Sequence, residues 1–183
     1  MTEPDEKVAA VRDWLVHPAT DTGVYFADEG NGWEYRSYAD LAALSWSIAA
    51  LMRDHGMRAG AGVCVIMPTG FPCAAAFYAV WACGGVFTPV APPMYGDLDQ
   101  YVAHVGSILR QARPLLVLTS IEFRELARQA HAAAGRTDEP VVVDPESLTP
   151  PPARREVAPP PHCARRPLTA GAPGPPPPGG GGG

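Results

Sequence analysis

Four short apolar runs constrain the fold more than anything else in this chain. They are Val63-Cys-Val-Ile-Met67, Val86-Phe-Thr-Pro-Val90, Leu115-Leu-Val-Leu-Thr119 and Val141-Val-Val143. Each begins directly after Gly or Pro, and consecutive runs are separated by more than a dozen residues with helical spacing of apolar positions. Runs this short and this uniformly apolar suit strands buried on both faces. Connections this long suit crossover helices, which parallel pairing requires. The expected class is therefore α/β, a mostly parallel sheet with flanking helices. Pro89 cannot donate to a ladder and belongs at a strand end or sheet edge. Ala59 to Gly96 contains no charged side chain, but Pro68, Pro72, Gly84, Gly85 and Pro89 cut it well short of the about 20 apolar residues of a membrane span.

The intervening segments read as helices with identifiable ends. Residues 5–17 form an amphipathic pattern through Val8, Val11, Trp14 and Leu15, stopped by Pro18. Gly23 to Ala27 and Trp33 to Arg36 flank a Gly30-Asn-Gly32 turn and predict a β-hairpin ahead of the sheet. Ser37 then starts a helix, with Asp40 completing a capping box and Gly56 at the far end. Further helices are expected over 73–83, over 98–112 with Leu98, Tyr101, Val102, Val105, Ile108 and Leu109 as its stripe, and over 121–134 with Phe123, Leu126 and Ala130 on one face. Composition adds a boundary. Twelve of the 22 prolines and seven of the 19 glycines fall within 150–183, which predicts a Pro/Gly-rich disordered tail after a domain of residues 1–149.

Ligands of an open parallel sheet bind beyond the carboxyl ends of its strands. The loops to consider are Pro68–Pro72, Pro89–Asp97, Ser120–Glu122 and the segment after Asp144. None carries a Gly-x-Gly-x-x-Gly or Walker pattern, and the chain's single lysine is Lys7. A net charge of −5 argues against a nucleic-acid partner. Cys64, Cys73, Cys83 and Cys163 lack metal-ligand spacing and read as reduced thiols, three of them in apolar surroundings. Asp97 and Asp99 suit helix capping rather than catalysis. His104 reads as a surface or boundary side chain, and Trp46 and Trp81 as core. The start lacks a secretory pattern, and a cytoplasmic protein is expected.

Several stretches, taken in order, resemble a known opening: Tyr35-Arg-Ser-Tyr-Ala-Asp-Leu41, Ile48 to Gly56, Gly60-Ala-Gly-Val-Cys-Val-Ile-Met-Pro68, Ala74 to Val86, and Thr88-Pro-Val-Ala-Pro-Pro93. Together they are similar to the N-terminal region of the adenylate-forming (AMP-binding) superfamily. Ala91 to Leu109 and then Leu115 to Thr119 bring the chain nearest to its fatty-acyl-AMP ligases and acyl-CoA synthetases. The resemblance implies a partial adenylate-forming fold. It also implies ATP- and Mg2+-dependent activation of a fatty or other carboxylic acid to an acyl-adenylate, then transfer to a thiol acceptor, CoA or a carrier protein's phosphopantetheine. Leu168-Thr-Ala-Gly-Ala-Pro-Gly174 echoes the family's phosphate loop, which makes Thr169, Gly171 and Gly174 the candidate nucleotide contacts. The lysine expected to close that loop is replaced by Pro175–Pro178 and glycines, and the family's catalytic lysine has no counterpart. A truncated, inactive N-terminal fragment is therefore expected. The alternative is a non-enzymatic α/β module that associates with a partner or a complete paralogue.

Overall fold

A computed structural model describes residues 3–27, 32–93 and 96–148, side chains 3–8 excepted. The hairpin turn at 28–31, Val8's side chain, Cys163, the 150–183 stretch and Thr169, Gly171 and Gly174 lie outside the described residues. The elements run α1 (Glu3–Val16), β1 (Gly23–Ala27), β2 (Trp33–Ser37), α2 (Tyr38–Asp54), β3 (Gly62–Ile66), α3 (Phe71–Ala82), β4 (Val86–Val90), α4 (Leu98–Ala112), β5 (Leu116–Ser120), α5 (Arg124–Ala133), β6 (Val141–Val143) and α6 (Pro145–Leu148).

The expected α/β arrangement is observed. β4, β3, β5 and β6 form one parallel sheet in that order, with Val63 opposite Phe87 and Leu116. β1 and β2 form a separate antiparallel pair, Gly23 opposite Ser37 and Tyr25 opposite Tyr35. Pro89 lies in β4, which among the described residues pairs only with β3, so its missing N–H deprives no second neighbour described of a bond.

The two faces of β3 show how the layers assemble. Successive side chains of a strand point to opposite faces. Val63 and Val65 join the core built with Leu44, Ile48 and Met52 of α2 and Ala75, Ala79 and Val80 of α3. Cys64 and Ile66 join the opposite core with Val105 and Leu109 of α4 and Ala127 and Ala130 of α5. All four strand residues are essentially inaccessible, so a continuous apolar run was needed here rather than an alternating one. α1 docks outside α2 and α3: Leu15 packs with Ala42 and Ala82, Arg12 Nε donates to the Ala82 carbonyl and Trp46 Nε1 to that of Leu15.

Helix ends follow the expected chemistry. Ser37 Oγ accepts from the Asp40 N–H, and the Asp40 carboxylate accepts from the Ser37 N–H. Asp97 Oδ1 accepts from the Asp99 N–H.

Three expectations need correction. The inner face of α5 is Ala127, Ala130 and His131, while Leu126 is only partly covered, because Gly106 of α4 draws α5 in along its small residues. Trp81 is 39% exposed, since α3 turns it outward beside the sheet edge. Leu98 is exposed at the first turn of α4 rather than part of its buried stripe.

Candidate functional site

The carboxyl ends of β3, β5 and β6 open into a groove of about 1030 Å³. Three of the four anticipated loops meet there: Pro68 to Pro72 after β3, Ser120 to Glu122 after β5, and Asp144 to Glu146 after β6. The Pro89–Asp97 loop does not line it. β4 is the outer strand on the far side of β3, so its carboxyl end, although on the same edge of the parallel sheet, is separated from those of β5 and β6 by β3.

The opposite wall comes from residues that the sequence did not mark as site candidates. Phe26 and Ala27 of β1, Glu34 and Arg36 of β2, and Asp40, Ala43 and Leu44 of α2 complete the groove. Glu34 and Arg36 are two apart on one strand and therefore share a face, the one sequence signal that could have pointed to them. Recognising that this face turns toward the parallel sheet required the tertiary fold.

Among the described residues Arg36 is the one basic side chain in the lining. Its Nη2 is ion-paired with Glu34 Oε1, and its guanidinium carbon lies 4.8 Å from the centre of the Phe71 ring. Phe26 meets the same ring edge-on at 5.9 Å. Arg36 Nε is buried without a hydrogen-bond partner. The carboxylates of Asp40, Glu122, Asp144 and Glu146 also line the groove. Asp40 and Asp144 each accept a backbone N–H at a helix start, and Glu122 accepts from the Ser120 hydroxyl at 3.3 Å.

This arrangement suits cations and extended apolar chains, and it repels polyanions. ATP, which the family resemblance implies, does not fit the groove: its triphosphate would face five carboxylates, with one guanidinium already engaged by Glu34. Among the described residues no group of three or more His, Cys, Asp or Glu is placed to hold a metal ion. Among the described residues of the lining no histidine stands beside Ser120 to act as its base.

The other sequence candidates lie elsewhere. Asp97 and Asp99 cap α4, and His104 is exposed. Cys64, Cys73 and Cys83 are free thiols, each raised by burial, Cys64 to about 11 despite the opposing charge of Arg136. His131 was not singled out and is buried at 2% exposure. Its Nδ1 lies 2.8 Å from the Asp138 carbonyl and its Nε2 has no partner. It faces the α4–α5 layer, away from the groove. Among the described residues no helix is long and apolar enough to cross a membrane.

A family model described as AMP-binding enzyme matches residues 10–175. No curated protein matches the chain. Among solved structures, a fatty acyl-adenylate ligase from work on the E. coli and L. pneumophila enzymes is 24% identical at a TM-score of 0.62, over 78% of this chain and 25% of that one. The L. pneumophila ligase bound to acyl adenylate and pyrophosphate is 20% identical at 0.60, over 78% and 23%. VinN is 26% identical at 0.54, over 72% and 31%. The chain thus spans about a quarter to a third of the length of these proteins.

Proposed function

The chain belongs to the AMP-binding enzyme family and corresponds to its N-terminal segment, and from that premise we propose that it contributes the first α/β layers of a fatty-acyl-AMP ligase or acyl-CoA synthetase. The reaction is activation of a fatty or other carboxylic acid by ATP to an acyl-adenylate. The acyl group then passes to a thiol, CoA or the phosphopantetheine of a carrier protein, within cytoplasmic fatty-acid metabolism. Family enzymes use ATP; Mg2+ as its counterion belongs to the same proposal. The observation that carries this reading is the family match over residues 10–175, joined to a sheet and hairpin arranged as in acyl-adenylate ligases.

The described residues supply scaffold rather than chemistry. β3, β5 and β6 set the strand ends, and the hairpin with α2 closes one side. Nucleotide contacts fall to other residues, with Thr169, Gly171 and Gly174 the proposed candidates. The 183-residue chain by itself is expected to be inactive. Its only lysine is Lys7, and none falls in the sequence of a strand-end loop.

Fatty-acid-dependent exchange of pyrophosphate into ATP tests both parts. The isolated chain should give no exchange above background, and clear turnover would refute its inactivity. A chimera placing residues 10–148 in the matching segment of a fatty acyl-adenylate ligase should regain exchange; a folded chimera without it would overturn the family-level function. A second reading, association with another copy or a complete relative, is favoured by the exposed Trp81 and Val86 beside edge strand β4.

A further inference from the structure

The groove at the carboxyl ends of β3, β5 and β6 is short of positive charge. Among the described residues its lining carries the carboxylates of Glu34, Asp40, Glu122, Asp144 and Glu146 against the guanidinium of Arg36, a formal −4. Hydrogen bonds satisfy some of these oxygens without adding charge. Asp40 and Asp144 accept helix-start N–H groups, and Glu122 accepts the Ser120 hydroxyl. Like charges held beside apolar walls repel one another, and the field between such walls draws in counter-charge.

The negative charge is divided between two walls. Glu34 and Asp40 come from β2 and α2, whereas Glu122, Asp144 and Glu146 follow β5 and β6. Among the described residues no three metal-ligating side chains come together, so a compact inorganic ion finds no coordination site. The lining also holds Phe26, Leu44, Met67, Phe71 and Val143, an apolar floor that such an ion would leave unused. Separate cationic groups on an apolar stem match both features, as lysine stems lie on apolar surface with the ammonium in a polar setting. Arg36 already behaves this way within the chain. Its guanidinium carbon lies 4.8 Å from the centre of the Phe71 ring while Nη2 pairs with Glu34. A groove of about 1030 Å³ has room for an extended small molecule besides.

We propose that this groove binds an aliphatic polyamine, its methylene stem on the Phe26–Phe71 floor and its ammonium groups at Asp40 on one wall and at Glu122, Asp144 and Glu146 on the other. Glu34 stays with Arg36. A monoamine would compensate one wall only, and a phosphorylated ligand would be repelled by both. The proposal does not depend on the acyl-adenylate reading, since the ligand is neither a carboxylic acid nor a nucleotide.

Calorimetric titration of the full 183-residue chain with spermidine at pH 7 and low salt tests it. Binding should saturate at one molecule per chain, and its absence overturns the proposal. Glu122→Gln/Glu146→Gln removes two exposed groove charges and should weaken binding about fivefold. Asp54→Asn/Asp99→Asn removes two exposed charges outside the groove and should stay within about twofold of wild type. Equal losses in the two variants would mean a response to net charge alone and refute the site. Hexaamminecobalt(III) is a trication without a methylene stem and should bind about tenfold more weakly than spermidine, because it gains nothing from the floor. Equal affinity refutes the role given to Phe26 and Phe71. In amide NMR spectra, spermidine should shift Thr69, Ser120 and Glu122; shifts confined to residues outside the groove overturn the assignment.

Discussion

Arg136 shows how one side chain fastens the carboxyl half of the sheet. Its guanidinium donates to the Pro114 and Leu115 carbonyls at the entry to β5, and its Nε to Asp138 Oδ1 at 3.0 Å in the loop before β6. Burial acts to raise the Asp138 carboxyl, but the hydrogen bond and charge of Arg136 outweigh it and hold the group below its ordinary value. A depressed folded value means that the linked stability is present above the unfolded carboxylate value near 3.9 and is lost as pH falls through the folded one. Asp138→Asn should therefore cost under about 1 kcal/mol at pH 7, small because the carboxylate is half exposed, and the difference from wild type should vanish at strongly acidic pH. Urea titrations at the two pH values would check it. A constant difference would mean that shape rather than charge ties the loop down.

At the scale of elements, the α4–α5 contact depends on a missing side chain. A Cβ on Gly106 would lie 2.9 Å from the Ala133 Cβ, closer than these atoms tolerate, and 3.3 Å from the Ala133 carbonyl carbon. Gly106→Val should lose about 1–3 kcal/mol by forcing the helices apart. Chemical denaturation should show it as a lower midpoint with an unchanged slope. The same close approach buries His131 and directs α5 inward along Ala127 and Ala130. Sequence periodicity placed Phe123, Leu126 and Ala130 on that face; Ala130 is buried there and Phe123 packs against the same core, but Ala127 takes the place expected of Leu126. Small residues won because the interaxial distance was set by the partner helix, which the sequence of α5 does not encode. The start of α2 is the opposite case. Ser37 and Asp40 satisfy each other's backbone across three residues, so the capping box was legible without any tertiary information.

Across the whole molecule, covered and uncovered surfaces divide at the sheet edge. Phe77 packs on Trp81 at 4.0 Å and on Phe87 at 4.4 Å, yet Trp81 and Val86 remain exposed beside β4. On the reading that this edge joins another copy, the isolated chain should elute above its monomer size at high concentration. Trp81→Glu should return it to monomer. Elution of wild type as a monomer throughout would remove the support that this patch lends to the association reading.

The sequence by itself determined the elements and the class of the fold, because those depend on local and repeating properties. Continuous apolar runs of Val, Ile and Leu demanded strands buried on both faces, long helical connections demanded parallel pairing, and Pro89 marked an edge. Three groove loops also came from strand direction alone. The far wall of the groove, its acidic character and the solitary Arg36 were decided only by tertiary structure. Those features arise where a hairpin, a helix and three strand ends from distant parts of the chain converge. No local pattern records which polar face of β2 will meet them, and the electrostatic character of a cleft is a sum over residues that become neighbours only on folding.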